Sequence, residues 1–401
     1  SPQLYKQLLM ASGMDKYFQI SKCFRNEPRL TPDRQPEFTV LDMEMAFVDE
    51  DDVYPIVDGL LAHIWAKIVG RRLETPVKRI TYAEAMEKYG TDRPDLRFEL
   101  ELGDITAAAA RWPVPAIREA MHPVEDALAE GQVRGVPVLR ALRVPGVGAA
   151  LDGFLPGIGA ELRPLGQDAQ LFHFKVIEGL RLVGPLAKHF DEGLSKELCS
   201  ATGGRAGDVV FLVAAPNRAS ANAVAAELRL RVARELNLVD RTRHELLWVN
   251  EFPFWEYDPR AQGWTGCRHP FTQPLDSDLM KLETEKYSVR AKAYDLVLNG
   301  VELGAGSIRN HDVHVQQRVF DMFEYKREDV YKRWGFVLEA FKFGVPPHGG
   351  LSIGLDRLIA QLLGVDAMDE VIAFPKDRNG NDPMVDAPTK IDPGYVRQML
   401  T

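Results

Sequence analysis

Three clusters of charged residues in this sequence have the types and spacing for chemistry on an anionic ligand. The first lies between Tyr17 and Phe47, in YFQISKCFRNEPRLTPDRQPEFTVLDMEMAF. Arg25, Glu27, Arg29, Asp33, Arg34 and Gln35 crowd one short loop, flanked by Pro28, Pro32 and Pro36. The plain reading of such a loop is a solvated turn. Against it, both signs of charge are mixed, and prolines lower the entropy cost of holding side chains in place. After the loop Phe38, Val40, Asp42 and Glu44 alternate with Leu41, Met43, Met45 and Phe47. Period two predicts a half-buried strand with an aromatic ring and an acid pair on one face. A stiff loop offering Arg and Gln over that face suits a planar, anionic ligand.

The second cluster is Tyr294 to Arg309, YDLVLNGVELGAGSIR. Asn299-Gly300 between apolar alternations signals a two-residue hairpin turn. With that turn Leu298 faces Val301 and Val297 faces Glu302, so Asp295 and Glu302 share a face. Their Cα atoms would then lie about 7–8 Å apart on the diagonal. Two acids so placed repel unless a cation comes between, and Mg2+ held by one or two carboxylates plus ATP phosphates would do so. Gly304 and Gly306 allow close backbone approach. Arg309 follows, with a guanidinium suited to a bidentate grip on a carboxylate. The third cluster is Gly354-Leu355-Asp356-Arg357, where a short strand meets a helix whose N-terminus and arginine make an anion site. No Gly-x-x-x-x-Gly-Lys-Ser/Thr loop and no Gly-x-Gly-x-x-Gly turn occurs, so a nucleotide, if bound, is bound without either.

The elements that must carry these groups are legible in outline. Ser1 to Met14 reads as a helix with Leu4, Leu8 and Leu9 as its stripe and with Gln3 and Lys6 on the other side. Asp51 to Gly70 reads as a helix capped by Asp51 or Asp52, with Ile56, Leu60, Ile64 and Ile68 at helical spacing and Val53, Val57 and Leu61 widening the stripe. A shorter helix is expected over Tyr82 to Tyr89. Phe18, Ile20 and Phe24 share one face of the strand before the loop. Leu355, Leu358, Ile359 and Leu362 form the predicted buried stripe of the late helix. Between about Asp104 and Asp240 the texture shifts to Ala, Val and Gly. Strand-like runs at Val136 to Val144 and Val209 to Ala214 and a helical run at Ala219 to Glu235 predict a packed α+β module with no catalytic constellation.

The 401 residues imply two or three domains, and 45% hydrophobic and 27% charged residues are ordinary for a globular chain. A net charge of −9 argues against broad, non-specific nucleic-acid binding but not against a local basic surface for one folded RNA. No apolar run approaches the ~18 residues that span a bilayer. Cys23, Cys199 and Cys267 are few, distant and outside any Cys-x-x-Cys pair, so neither a disulfide framework nor a zinc site is suggested; free thiols fit a reducing cytoplasm.

FRNE followed by DRQPEFTVLDME closely resembles motif 2 of class II aminoacyl-tRNA synthetases, in the form of the bacterial-type aspartyl enzymes. The resemblance runs the length of the chain. TDRPD from Thr91, ALRVPGVG from Ala141, the Asp295–Arg309 stretch, GLDR at the start of motif 3 and the closing VIAFPKDRNGNDPMVDAPT all match. It implies an α+β fold, the class II antiparallel sheet flanked by helices, with an inserted smaller α+β domain of GAD type. The expected division is residues 1–103 and 241–401 for the catalytic domain and 104–240 for the insertion. Ser1 already falls inside a family motif, so a truncated chain lacking motif 1 and the anticodon-binding domain is expected.

The implied function is ATP-dependent activation of L-aspartate to aspartyl-adenylate and transfer to tRNA(Asp), with ATP and Mg2+ required, by a cytoplasmic homodimer without membrane attachment. The resemblance gives Arg25 and Arg357 catalytic roles. It assigns Arg25, Asn26, Glu27, Gln35, Phe38, Glu302, Gly354, Leu355, Asp356 and Arg357 to ATP, and Gln3, Lys6, Arg25, Asp42, Arg268 and Arg309 to aspartate. Asp295 and Glu302 would hold the metal. Asn26, Val40, Arg268, Ala305 and Asn310 depart from the family pattern; Arg268 stands where it has a histidine, and Ala305, where it has a glycine, requires a negative φ. Two alternatives remain: a paralogue that makes aspartyl-adenylate without charging tRNA, and a non-catalytic nucleotide- or RNA-binding relative.

Overall fold

The structure is a computed structural model that describes residues 3–26, 30–31, 34–122, 136–148, 150–166, 168–258, 263–391, 394 and 398–399. It divides into two units: Ser1–Pro76 with Leu303–Thr401, and Val77–Glu302.

In the first unit the Lys16–Phe24 and Glu37–Ala46 strands pair antiparallel, Phe24 opposite Glu37 and Tyr17 opposite Glu44, and so frame the charged loop. Arg25 N–H donates to the Pro36 carbonyl at 2.9 Å and closes the loop's base. His348–Gly354 lies antiparallel on the other side of Glu37–Ala46, and the Val301–Ile308 strand, which enters this unit at Leu303, lies beyond it. The registers put Asp42 opposite Ser352 and Gln19, and Glu44 opposite Gly350 and Tyr17. Residues directly opposite share a face. One face of the sheet is therefore polar, and Leu351, Ile353 and Met43 fill the other. Ala305, within the Val301–Ile308 strand, is not among the residues of positive φ, as its methyl requires.

Three expectations about buried faces are corrected. In helix Gln3–Ala11 the buried residues are Lys6, Gln7 and Met10, and the leucines are only half-buried, because the sheet opposite offers carboxylates. Helix Glu50–Ile64 starts one residue earlier than expected. Asp49 is its N-cap, and Asp52 returns a bond to the Asp49 N–H at 2.9 Å. It buries Val53, Val57, Leu61 and Trp65 with Tyr54 and Asp58, and Ile56 and Ile68 face solvent. The sequence carries two adjoining stripes, and the one ending in the larger Trp65 wins the core. A π-turn over Trp65–Val69 ends at Gly70 with φ 70°. In helix Leu355–Leu363, Leu358 and Ala360 are buried, but Ile359 is exposed. Phe18, Ile20 and Phe24 are each more than 60% exposed, so the outer face of the first strand is an uncovered apolar stripe.

In the second unit Leu246–Asn250 pairs antiparallel with Ala293–Leu298 and parallel with Lys78–Thr81. Asn299 and Gly300 take φ of 54° and 83°, the two left-handed residues of a tight hairpin turn. The Asn299 side chain accepts from the Glu245 N–H at 2.9 Å and fixes that turn. A separate five-stranded antiparallel sheet runs Leu102–Asp104, Val138–Val144, Val209–Ala215, Gln170–Ile177, Arg181–Val183. Its middle strand, Val209–Ala215, is apolar throughout because both faces are covered. Val209, Phe211 and Val213 pack under helix Arg218–Glu235, while Val210, Leu212 and Ala214 join Trp112 and Phe190 on the other side.

Candidate active site

The polar face of the first unit's sheet gathers a buried charge cluster. Asp42 and Glu44 are both fully buried two residues apart on the Glu37–Ala46 strand. Lys6 reaches them from helix Gln3–Ala11, with Nζ 2.8 Å from Asp42 Oδ1 and 3.1 Å from Glu44 Oε2. Arg309 leaves the end of the Val301–Ile308 strand and donates Nε and Nη2 to the two Glu44 oxygens at 3.0 and 3.2 Å. Its Nη1 donates to Ser307, and the Ser352 hydroxyl donates to Asp42. Burial alone would push the Glu44 carboxyl up, but Arg309 and Lys6 hold it down at about 2. Burial drives the imidazole of His348 down to about 4, against the pull of Glu44, so it stands neutral in the cluster. Tyr17 is raised by burial and by Asp42.

Two cations, two carboxylates and a neutral imidazole at such depth persist only when paired. Glycine makes room for them. A Cβ on Gly350 would collide with the Met43 carbonyl and Glu44 Oε2, and one on Gly304 would lie 2.5 Å from the Ser352 carbonyl oxygen. Of the predicted aspartate ligands, Lys6, Asp42 and Arg309 come together here, with Gln3 half-buried on the Lys6 helix. Sequence reasoning gave no role to Glu44, the group that holds both cations, although period two had placed it on the Asp42 face. It also missed Ser307, two residues before Arg309, and Ser352 and His348, whose acidic neighbours Asp42 and Glu44 lie on another strand.

Four residues before Asp42 on the same face, about 13 Å along the strand, Phe38 lies under Arg25, whose Cζ is 5.1 Å from the ring centroid. Arg25 and Asn26 are exposed at the loop's entry, and Glu27 lies outside the described residues. Gly354 caps helix Leu355–Leu363 with no side chain, so the first-turn amides beside Arg357 are set for an anion. Asp356 is redirected: its Oδ2 accepts the Thr39 N–H at 2.7 Å and ties this helix to the Phe38 strand. Gln35 is redirected too. Its Oε1 accepts the Lys376 N–H at 2.9 Å, so its amide anchors a later segment of backbone. A ring, a guanidinium and a helix N-terminus at one end of the sheet, with paired cations further along the same face, fit an elongated ligand with a nucleotide at one end and a carboxylate at the other.

The Asp295 group belongs to the second unit. Asp295 is buried, and Arg268 grips both its oxygens, at 3.3 and 3.1 Å. The guanidinium carbon stacks 3.7 Å from the Phe252 ring centroid. Burial pushes the Asp295 carboxyl up, Arg268 opposing and Glu302 adding to the rise. The acid pair expected to hold Mg2+ therefore does not fit that role. Both Asp295 oxygens are spent on a guanidinium. Arg268, expected at the aspartate, is here the partner of Asp295.

A family model described as "tRNA synthetases class II (D, K and N)" matches residues 1–378. Curated relatives include the aspartate–tRNA ligase of Clostridium perfringens, 40% identical over all of this chain and 64% of its own length. That of Clostridium botulinum is 41% identical over the whole chain and 64% of its length. The aspartate–tRNA(Asp/Asn) ligase of Heliobacterium modesticaldum is 40% identical over the whole chain and 63% of its length. The chain thus spans somewhat under two thirds of each relative. No helix among the described residues is long and apolar enough to cross a membrane.

Proposed function

The chain belongs to the class II tRNA synthetase family of the D, K and N type, and from that premise we propose that it activates L-aspartate with ATP and passes the aspartyl group to tRNA(Asp). A carboxylate oxygen of aspartate attacks the α-phosphorus, the α–β P–O bond breaks and pyrophosphate leaves. The terminal ribose hydroxyl of tRNA then takes the acyl group and AMP leaves. The first step asks for charge neutralisation and alignment more than for a base. Arg25 supports the α-phosphate, Phe38 offers its ring to adenine, and Arg357 with the Gly354–Leu355 amides holds the terminal phosphates. Gln3 belongs to the same pocket wall as Lys6. Asp42 meets the ammonium of aspartate.

The observation that carries this reading is the pairing of Lys6 and Arg309 around Glu44. Two cations held at a fixed spacing in a buried site favour a carboxylate side chain over the neutral amide of asparagine, which brings them no charge. The relatives' names agree with aspartate as substrate. A divalent ion would accompany the ATP phosphates.

The five-stranded sheet supports residues 104–240 as an inserted module, and 1–103 with 241–401 as the catalytic part. The exposed Phe18, Ile20 and Phe24 stripe supports a homodimer. A cytoplasmic location is in keeping with three free cysteines. The test is ATP–pyrophosphate exchange with each of the amino acids in turn, followed by charging of tRNA(Asp). Exchange with aspartate alone, and charging that follows, is the expected result. Exchange without charging would favour the adenylate-forming paralogue, and neither would favour a non-catalytic relative.

A further inference from the structure

Asp295 stands in an acidic neighbourhood. Glu302 and Asp92 both raise its carboxyl, and Asp92 does the same to Glu256. One guanidinium answers them. Arg268 pairs with both oxygens of Asp295, lowers Glu256, is itself held charged by Asp295 and Glu302, and is clamped flat against Phe252. The ion pair is almost fully buried, with side-chain exposures of 16% and 8%.

We propose that Arg268 is this site's own fixed cation, taking the carboxylate positions on Asp295 that a divalent metal would need, so that Asp295 does not ligate the metal that arrives with the nucleotide. The argument is geometric and electrostatic. A carboxylate has two oxygens, and a bidentate guanidinium uses both in a planar fork. A divalent ion brought against Asp295 would meet a buried positive charge that cannot lose its proton. Ring stacking removes the freedom Arg268 would need to swing aside. Arg268 is thus a positioning residue. It orients Asp295 and sets how much positive charge the site demands from its ligand.

The inference uses the aspartate-activation reading only in taking MgATP as the incoming ligand, and its test reads metal binding directly. Mn2+ binding is followed by electron paramagnetic resonance on the intact chain, with and without ATP, in the wild type, Asp295→Asn, Arg268→Gln and the double variant. Circular dichroism and thermal melts accompany each to show that it is folded. The proposal expects no Mn2+ site that depends on Asp295 in the wild type, so that Asp295→Asn leaves Mn2+ binding with ATP unchanged. It expects Arg268→Gln to gain Mn2+ affinity by at least about tenfold, and the double variant to lose the gain. Wild-type Mn2+ binding that Asp295→Asn weakens would overturn it, whether or not Arg268→Gln folds. So would a folded Arg268→Gln with no gain. Absence of aspartate-dependent exchange would count against the activation reading and leave the Mn2+ result standing.

Discussion

Glu44 accepts hydrogen bonds from Nε and Nη2 of Arg309 at 3.0 and 3.2 Å, although 265 positions separate them in the chain. The same carboxylate receives Lys6 at 3.1 Å, so one buried acid sets the spacing of two cations from opposite ends of the sequence. Glu44→Gln keeps the shape and removes the charge. It takes the buried negative charge away from Arg309 and leaves Lys6 with Asp42 alone, which costs about 3 kcal/mol or more. The expected outcome is a lower urea midpoint and a KM for aspartate at least about tenfold higher, with the KM for ATP within about twofold of wild type. Equal losses for both substrates would show that Glu44 does not act through the amino-acid cations.

Gly350 owes its identity to Glu44 packing over it. A methyl at this position would collide with the Met43 carbonyl and with Glu44. Gly350→Ala should destabilise the fold by about 1–3 kcal/mol. Gly59, exposed in helix Glu50–Ile64 with nothing within 4 Å of a built Cβ, is the control. Gly59→Ala should stabilise by about 0.5–1 kcal/mol. Urea denaturation of both variants checks the pair, and opposite signs are required.

His348 gives the protein a predicted acid limb. Its ordinary value of 6.5 falls to about 4 in the fold. Between those values the unfolded chain binds a proton that the native one does not, so stability is complete above 6.5 and falls with pH toward 4. The loss is about 3 kcal/mol across the window. Glu44 adds its own loss only lower, as pH falls from 4.5 toward 2. In His348→Gln the slope of stability against pH between the two histidine values should flatten. A variant with the wild-type slope would place the titration elsewhere.

The sequence made the local parts readable. Phe38 and Asp42 share a face because strand period is two, and the Asn299-Gly300 turn has the positive φ values its residue types demand. What escaped was set by partners distant in sequence. Helix Gln3–Ala11 buries Lys6 and not its leucine stripe because Asp42 lies opposite, 36 residues on. Asp295 looked like a metal ligand because its own strand is all that period two describes. Arg268, 27 residues upstream, decides where its oxygens point. Gln35 and Asp356 carried the right types for a ligand, but they bond the backbone of Lys376 and Thr39, contacts that no local pattern encodes.

The central claim is that Lys6 and Arg309, locked to Glu44, read a carboxylate side chain. Aspartate-dependent ATP–pyrophosphate exchange in Arg309→Leu, set against wild type and with asparagine as the competing substrate, tests it most directly. The account predicts that wild type exchanges with aspartate and not asparagine, and that the variant, still folded by circular dichroism, loses aspartate exchange by at least about a hundredfold. Undiminished aspartate exchange in the folded variant would contradict it.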